Sequence, residues 1–161
     1  MESVLAAILI SEHLIQLGMA ETAKDAAIRR LARGLYDLDC VLEGYVENVL
    51  AREEAYPTGL PTSIPVALCH TEARFVRRSA LAVGTLAAPI PFQEMGTPER
   101  HVDAEIIFLL ALADPKDQVP WLKKMAGVFK DRPTLAAIRD ATDPLVLEAF
   151  LKSVLQAPES E

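Results

Sequence analysis

Residues 51–72 read AREEAYPTGLPTSIPVALCHTE, the most informative stretch of the sequence. It begins inside a predicted amphipathic helix at 42–54, which ends at a break rich in proline and glycine at 57–61. The apolar run 66–69 follows, and its length and its flanking proline are typical of a buried strand that ends at His70. A helix joined by a turn to a buried strand indicates an α/β domain.

The segments upstream of this stretch extend the same pattern. Residues 4–17 are interpreted as a strand, or a strand and a turn, closed by Gly18. A helix follows from Glu21 onward, and we expect Thr22 to cap it. In the helix at 42–54, the charged side chains are predicted to point outward or to lie at its end: Glu43, Glu47, Arg52 and Glu53.

The segments downstream add two strands and three helices. Strands are predicted at 79–86 and 102–113, with Phe92 in a turn-rich segment between them. The predicted helices are 116–130, about 133–140 and 143–156, the last with Asp143 as its N-cap and Pro144 at its first position. Helices around a set of strands predict one two- or three-layer mixed α/β domain spanning 1–161, with a frayed tail at about 157–161.

Composition and charge exclude several functional classes. The chain has 161 residues, 51% of them hydrophobic, which is enough for a sizeable core. Its 16 Lys and Arg against 23 Asp and Glu give a formal charge of −7, which argues against a nucleic-acid partner. Three histidines and two cysteines, with no CxxC or HExxH motif, argue against a zinc site.

The sequence also predicts a cytoplasmic protein. No basic residue precedes the apolar run 4–10, so it lacks the positive region of a signal peptide. The longest strongly apolar stretch, 106–113, is far shorter than the roughly 20 residues of a membrane-spanning helix. We therefore expect no direct membrane insertion, and free thiols at Cys40 and Cys69.

The quoted stretch gathers three chemically useful groups. Arg52 at a helix end, Thr58 in a turn and His70 at a strand end would bring a cation, a hydroxyl and an imidazole together. Sites just beyond the carboxyl ends of strands are common in open α/β sheets. Spacing alone does not say what such a site does.

The segment REEAYPTGL, followed by a strand and His-Thr, resembles the active-site signature of enzyme IIA proteins of the fructose–mannitol type in the bacterial sugar phosphotransferase system. The order of elements is similar from about residue 5 to residue 155, and the segments CHTEA, PIPF and DPKDQ are most similar to the galactitol branch. This resemblance implies the mannitol-type enzyme IIA fold, with a mixed parallel and antiparallel sheet of about five strands flanked by helices.

The resemblance implies a transferase component that carries a phosphoryl group. In this family a histidine accepts the group from the phosphohistidine of the carrier HPr and passes it to a cysteine of an enzyme IIB, which serves a membrane enzyme IIC. For this chain it implies uptake of a sugar or sugar alcohol, galactitol-like. Phosphoryl transfer of this kind depends on positioning and charge stabilisation, so the resemblance implies no metal and no organic cofactor.

The resemblance also assigns roles to residues. His70 would accept the phosphoryl group through Nε2, and Arg52 would stabilise that group. A backbone carbonyl or Glu72 would hold the other ring nitrogen, while Thr58 and Thr71 would add hydroxyl donors. Positive charge is expected near His70 because four arginines bracket it: Arg52, Arg74, Arg77 and Arg78.

The sequence departs from the common family pattern at two places. Many relatives have proline directly before the active histidine, where this chain has Cys69, and many have a second histidine where this chain has Gln118. His101 is interpreted as a surface residue rather than a site residue. A partly apolar docking surface is expected around the site from four residues: Leu60, Ile64, Phe75 and Phe92.

Two alternatives remain open at this stage. A regulatory protein could keep the phosphorylatable histidine and control a transporter, a kinase or a transcription factor through its phosphorylation state. A binding domain that is never phosphorylated could also use the same fold. Neighbouring genes for enzymes IIB and IIC would favour sugar uptake.

Overall fold

The computed structural model describes residues 7–156, in which the elements form a mixed α/β fold. The five strands are β1 (Ile15–Met19), β2 (Gly59–Leu60), β3 (Val66–Cys69), β4 (Ala80–Glu94) and β5 (Thr97–Ala111). The five α-helices are α1 (Lys24–Asp37), α2 (Tyr45–Ala55), α3 (Gln118–Phe129), α4 (Arg132–Arg139) and α5 (Pro144–Leu155). The predicted α/β class is confirmed.

One sheet contains all five strands and mixes both pairing directions. β5 pairs antiparallel with β4 and parallel with β3, where Cys69 lies opposite Leu109. β1 is parallel to β4, and β2 is antiparallel to β3. Because β3 and β5 run in the same direction, their carboxyl ends lie at one edge of the sheet, and His70 follows β3 at that edge.

Helices cover both faces of the sheet. Alternate residues of β3 belong to two different cores, Ala67 and Cys69 to the one that contains α1 and α2, and Val66 and Leu68 to the one that contains α3, α4 and α5. A strand buried on both faces shows a continuous apolar run instead of alternation. This explains why 66–69 and 106–111 contain almost no polar residues.

The position of α2 relative to the sheet is fixed at its first residue. Tyr45 is fully buried, and its hydroxyl donates to the carbonyl oxygen of Leu110 in β5 at 3.1 Å. The same helix is contacted from α1, where the hydroxyl of Tyr36 accepts from the amide of Val46 at 3.1 Å. These two bonds direct the last turn of α2, with Arg52 and Glu53, toward the end of β3.

The long β4–β5 hairpin is the main correction to the predicted elements. The predictions ended the first strand at 86 and began the next at 102, but the strands reach Glu94 and start at Thr97. Phe92, predicted in a turn-rich segment, lies in β4 and is fully buried. Pro89 lies inside, and Pro91 directly after, the interval between Thr85 and Ile90 where the β4–β5 register shifts.

The start of the described chain also differs from the prediction. Instead of one strand over 4–17, a short 3-10 helix at Glu12–Leu14 precedes β1, and β1 continues through Gly18. α1 begins at Lys24 with Ala23 as its N-cap, so the predicted cap at Thr22 is wrong. Residues 4–6 of that predicted strand lie outside the described residues.

The three C-terminal helices confirm the predictions to within two residues at each end. Asp143 is the N-cap of α5, and its carboxylate accepts from the amide of Leu145 at 2.9 Å. Pro144 occupies the first helical position, where its missing amide hydrogen costs nothing. The predicted tail at 157–161 lies outside the described residues.

None of the helices in the described part of the chain has the length and apolar character needed to cross a membrane.

Candidate functional site

His70 lies directly after β3 and is half-buried. Its Nδ1 is 3.2 Å from the carbonyl oxygen of Leu68. A carbonyl oxygen only accepts hydrogen bonds, so Nδ1 carries the ring hydrogen and donates it to Leu68. The neutral ring therefore has its lone pair on Nε2. Of the two orienting groups expected for His70, the structure provides the backbone carbonyl.

The surroundings of His70 favour its neutral form. Burial is the largest influence and lowers the pKa of His70 from its usual value of 6.5. The hydrogen bond to the Leu68 carbonyl raises that pKa, and the positive charge of Arg52 lowers it. The net lowering leaves Nε2 unprotonated, and thus nucleophilic, at neutral pH.

Arg52 is the cation of the site. It lies in the last turn of α2, and its charge acts on the imidazole of His70. Its guanidinium carbon lies 5.5 Å from the centre of the Tyr56 ring, within the range of a cation–π contact. Tyr56 itself is 68% exposed and Arg52 is half-buried, so this contact lies at the protein surface.

Glu53 lies at the end of α2, one of the two placements that the sequence predicted for it, but it is buried and does not point outward. It is 3% exposed, and its carboxylate accepts two hydrogen bonds from Thr58, from the amide at 2.9 Å and from the hydroxyl at 2.7 Å. The Thr58 hydroxyl oxygen also lies 3.8 Å from the Sγ of Cys69. Glu53 thus links the end of α2, the turn and the end of β3, and amphipathic periodicity could not reveal this because the partner of Glu53 lies outside the helix.

The hydroxyls of Thr58 and Thr71 are both engaged within the protein. Thr71 is 6% exposed, and its hydroxyl donates to Oδ1 of Asn48 on α2. Each hydroxyl has one hydrogen, and in Thr58 it is donated to Glu53. In this arrangement neither threonine has a hydroxyl hydrogen for a phosphoryl group, contrary to the expectation from sequence. Asn48, which the sequence did not single out, thus contacts the residue that follows His70.

The predicted arginine cluster around His70 does not form. Arg74 pairs with Glu72 at 3.3 Å and lies over the ring of Phe75, while Arg77 pairs with Asp39 at 3.3 Å. The backbone amide of Arg78 donates to the Cys40 carbonyl, and its charge lowers the pKa of the Cys40 thiol against the larger raising effect of burial. Among the four arginines, only Arg52 contributes to the pKa shift of His70.

The same geometry leaves Glu72 away from the imidazole. Glu72 is exposed and holds the guanidinium of Arg74, while the ring nitrogen of His70 that it was expected to orient is bonded to Leu68. His101 is exposed too, 3.9 Å from Asp103, and lies on the surface as expected.

Two of the four residues expected to form a docking surface are core residues. Ile64 and Phe92 are 1% and 0% exposed, so neither can contact a partner. Leu60 and Phe75 are half-buried and stay as candidates. Tyr56, beside Arg52, is the large exposed aromatic residue that the prediction missed.

Cys69 takes the place of the proline common in relatives without becoming a reactive thiol. It is fully buried, and burial raises the pKa of its thiol well above 9.0, with the Glu53 carboxylate raising it further. Cys40 is also buried, and both cysteines are free thiols, as predicted. Within residues 7–156, no cluster of three or more His, Cys, Asp or Glu side chains is arranged to hold a metal ion.

Replacing Glu53 with glutamine is expected to destabilise the protein. Its amide nitrogen would face one of the two Thr58 donors, leaving a buried donor without an acceptor, which costs about 1–3 kcal/mol. Urea denaturation measures this loss. The matched control is Glu54→Gln, because Glu54 is adjacent and exposed, and its ion pair with Lys24 is a surface pair. Equal stabilities for the two variants would contradict the linking role of Glu53.

Comparison with models of protein families identifies the family of this chain. Residues 8–154 match the family model described as "Phosphoenolpyruvate-dependent sugar phosphotransferase system, EIIA 2". A comparison with curated protein sequences gave no match.

Three similar solved structures share the fold at low identity. A proposed PTS IIA protein from Streptococcus mutans has a TM-score of 0.74 at 18% identity, covering 92% of each chain. Enzyme IIA of the mannitol system from Escherichia coli, in a complex with its phosphorylated enzyme IIB, has a TM-score of 0.71 at 20% identity, covering 92% of this chain and 98% of that one. The nitrogen regulatory protein IIA-Ntr from Neisseria meningitidis has a TM-score of 0.67 at 21% identity, covering 87% and 94%.

These likenesses, all below 25% identity, show the fold, while the family model spans nearly the whole chain. The chain therefore belongs to the EIIA type 2 family of the phosphoenolpyruvate-dependent sugar phosphotransferase system.

Proposed function

We propose that this protein is a histidine phosphocarrier, in which His70 accepts a phosphoryl group from phospho-HPr and passes it to a cysteine of an enzyme IIB. The observation that supports this most is the state of His70. Its Nδ1 is bound to the Leu68 carbonyl, its Nε2 has no hydrogen-bond partner among residues 7–156, and the charge of Arg52 acts on the ring. A neutral, oriented imidazole next to a guanidinium is what an incoming phosphoryl group requires.

In the first step, the Nε2 lone pair of His70 attacks the phosphorus of the donor phosphohistidine. A bond forms from phosphorus to Nε2, and the bond from phosphorus to the donor nitrogen breaks, returning its electron pair to the donor ring. No proton has to leave His70, because its ring hydrogen stays on Nδ1. The guanidinium of Arg52 can bind the phosphoryl oxygens while their charge is shared between donor and acceptor.

In the second step, a cysteine thiolate of enzyme IIB attacks the same phosphorus. A bond forms from phosphorus to the cysteine sulfur as the bond to Nε2 breaks, and the electron pair returns to Nε2, so that His70 regains its neutral form. The similar Escherichia coli protein forms a complex with phosphorylated enzyme IIB, which supports this partner. We further propose a cytoplasmic carrier for a galactitol-like sugar or sugar alcohol, because CHTEA and DPKDQ are most similar to that branch. The sugar itself would bind to other components.

A regulatory role is the second candidate, and the similarity to the nitrogen regulatory protein favours it. In that case His70 would still be phosphorylated, but no enzyme IIB would remove the group. Incubating the phosphorylated protein with candidate enzymes IIB separates the two: rapid loss of the group supports transport, and its retention supports regulation. In the remaining alternative, a domain that is never phosphorylated, the unbonded Nε2 of His70 would have no chemical role.

Incubation with phospho-HPr is expected to add one acid-labile, base-stable phosphoryl group to the wild-type protein and none to His70→Ala. Mass spectrometry and phosphorus NMR detect the adduct. His101→Ala, which changes an exposed histidine, serves as the control and should react like the wild type. The absence of an adduct on the wild type, or an undiminished adduct on His70→Ala, would contradict the phosphocarrier proposal.

Arg52→Gln is expected to fold normally and to accept the phosphoryl group about a hundredfold more slowly, the usual effect of removing one preorganised charge-stabilising donor. Rapid-quench kinetics with phospho-HPr give the rate. Arg74→Gln is a matched control, because Arg74 also lies over an aromatic ring but is paired with the exposed Glu72. Equal rates in the two variants would remove Arg52 from the site.

The pH dependence of His70 provides an independent check. Since burial and Arg52 lower its pKa, an NMR titration of the imidazole should have its midpoint below 6.5, and the ring should remain neutral at and above neutral pH. In Arg52→Gln the midpoint should move upward, because one of the lowering influences is lost. A wild-type midpoint at or above 6.5 would contradict the described environment.

A further inference from the structure

Asn48 is the one asparagine of the chain, and it lies on α2 four residues before Arg52. Side chains four residues apart lie on the same face of an α-helix. Asn48 is hydrogen-bonded to Thr71, the residue after His70, so this face of α2 is directed toward the end of β3 where His70 lies. The charge of Arg52 acts on the same imidazole. The face therefore offers the site a cation and, one turn earlier, a carboxamide.

The carboxamide of Asn48 is held in place by the residue that follows His70. The buried Thr71 donates its hydroxyl to Oδ1 of Asn48, across 23 positions of sequence. This bond uses the oxygen of the carboxamide and thereby fixes the direction of its nitrogen. Asn48 is half-buried, so the nitrogen is not enclosed in the core.

The supply of hydrogen-bond donors around His70 is limited. The hydroxyl hydrogens of Thr58 and Thr71 are donated to Glu53 and Asn48. In contrast, no acceptor within residues 7–156 takes the two hydrogens on Nδ2 of Asn48. Among these three polar side chains, Asn48 alone retains hydrogens for an incoming group.

We propose that Asn48 is a phosphoryl-binding residue, whose Nδ2 donates to the oxygens of the phosphoryl group on Nε2 of His70 while Oδ1 holds Thr71. This inference rests on the proposed function. A neutral amide suits the role chemically. It stabilises a charged oxygen by a hydrogen bond, which is stronger than one to a neutral acceptor, without adding a second positive charge to the nucleophile.

Selective labelling makes the contact directly visible. With 15N-asparagine, the side-chain amide of Asn48 gives one pair of proton signals, because the chain has no other asparagine. On phosphorylation by phospho-HPr, one of these signals should move downfield and exchange more slowly with solvent. Unchanged signals, in a sample whose phosphohistidine is confirmed by phosphorus NMR, would overturn the inference while leaving the phosphocarrier proposal intact.

Kinetics test whether the contact matters. Asn48→Ala should accept the phosphoryl group about tenfold more slowly and hydrolyse its phosphohistidine faster, as the loss of one hydrogen bond to a charged group predicts. Alanine favours helix, so α2 should persist, and thermal denaturation checks this. Glu47→Gln is the matched control, since Glu47 is the exposed neighbour that pairs with Arg29 at 3.8 Å.

Thr71→Val separates binding from structural support. This variant loses the hydroxyl but keeps the Asn48 amide, so transfer should slow less than in Asn48→Ala, and the asparagine signal should still respond to phosphorylation. An Asn48→Ala variant that transfers at the wild-type rate would overturn the inference. Equally slow transfer by Asn48→Ala and Thr71→Val, together with an asparagine signal in Thr71→Val that does not respond to phosphorylation, would also overturn it. Asn48 would then act only through Thr71.

Discussion

The geometry of the site depends on the buried carboxylate of Glu53. Its two oxygens accept the amide and the hydroxyl of Thr58, and the same hydroxyl oxygen contacts Cys69 at the end of β3. An uncompensated carboxylate in this position would be costly, so the turn must adopt the conformation that supplies both donors. The end of α2 and the end of β3 thereby keep a fixed separation. Arg52 and His70 are each next in sequence to a residue of this contact, which is why their relative placement is set by the fold.

A second consequence concerns which groups are available to a ligand. Hydrogen bonding within the protein engages Nδ1 of His70 and the hydroxyls of Thr58 and Thr71. These bonds shape the site, and they leave Nε2 of His70, the guanidinium of Arg52 and the amide nitrogen of Asn48 for chemistry. The polar residues of the motif thus divide into those that hold the backbone and those that face outward, although the sequence presents them as one group.

The sequence predicted the elements well where periodicity and caps are local, as in α5 with its Asp143 N-cap. It also predicted the positions of His70 at a strand end and of Arg52 at a helix end, because both residues lie close to an identifiable turn. The predictions failed where contacts between residues far apart in the sequence determine the structure. Phe92 lies in a strand because β5 pairs with it, and Glu53 is buried because Thr58 supplies donors. Arg74 and Arg77 were misjudged because proximity in sequence says nothing about the acidic partners, Glu72 and Asp39, that direct them away.

In the proposed phosphocarrier, half-burial of His70 would reconcile two opposing demands. Burial favours the neutral imidazole and so makes Nε2 a nucleophile, but burial also penalises the negatively charged phosphoryl group that Nε2 would hold. A cation offsets that penalty, yet each added cation lowers the pKa and the basicity of the ring further. In the proposed site, one guanidinium with one neutral amide would meet both demands better than the four-arginine cluster that the sequence indicated. Such a site would stabilise the phosphoryl group enough to hold it, without stabilising it so strongly that the next acceptor could not remove it.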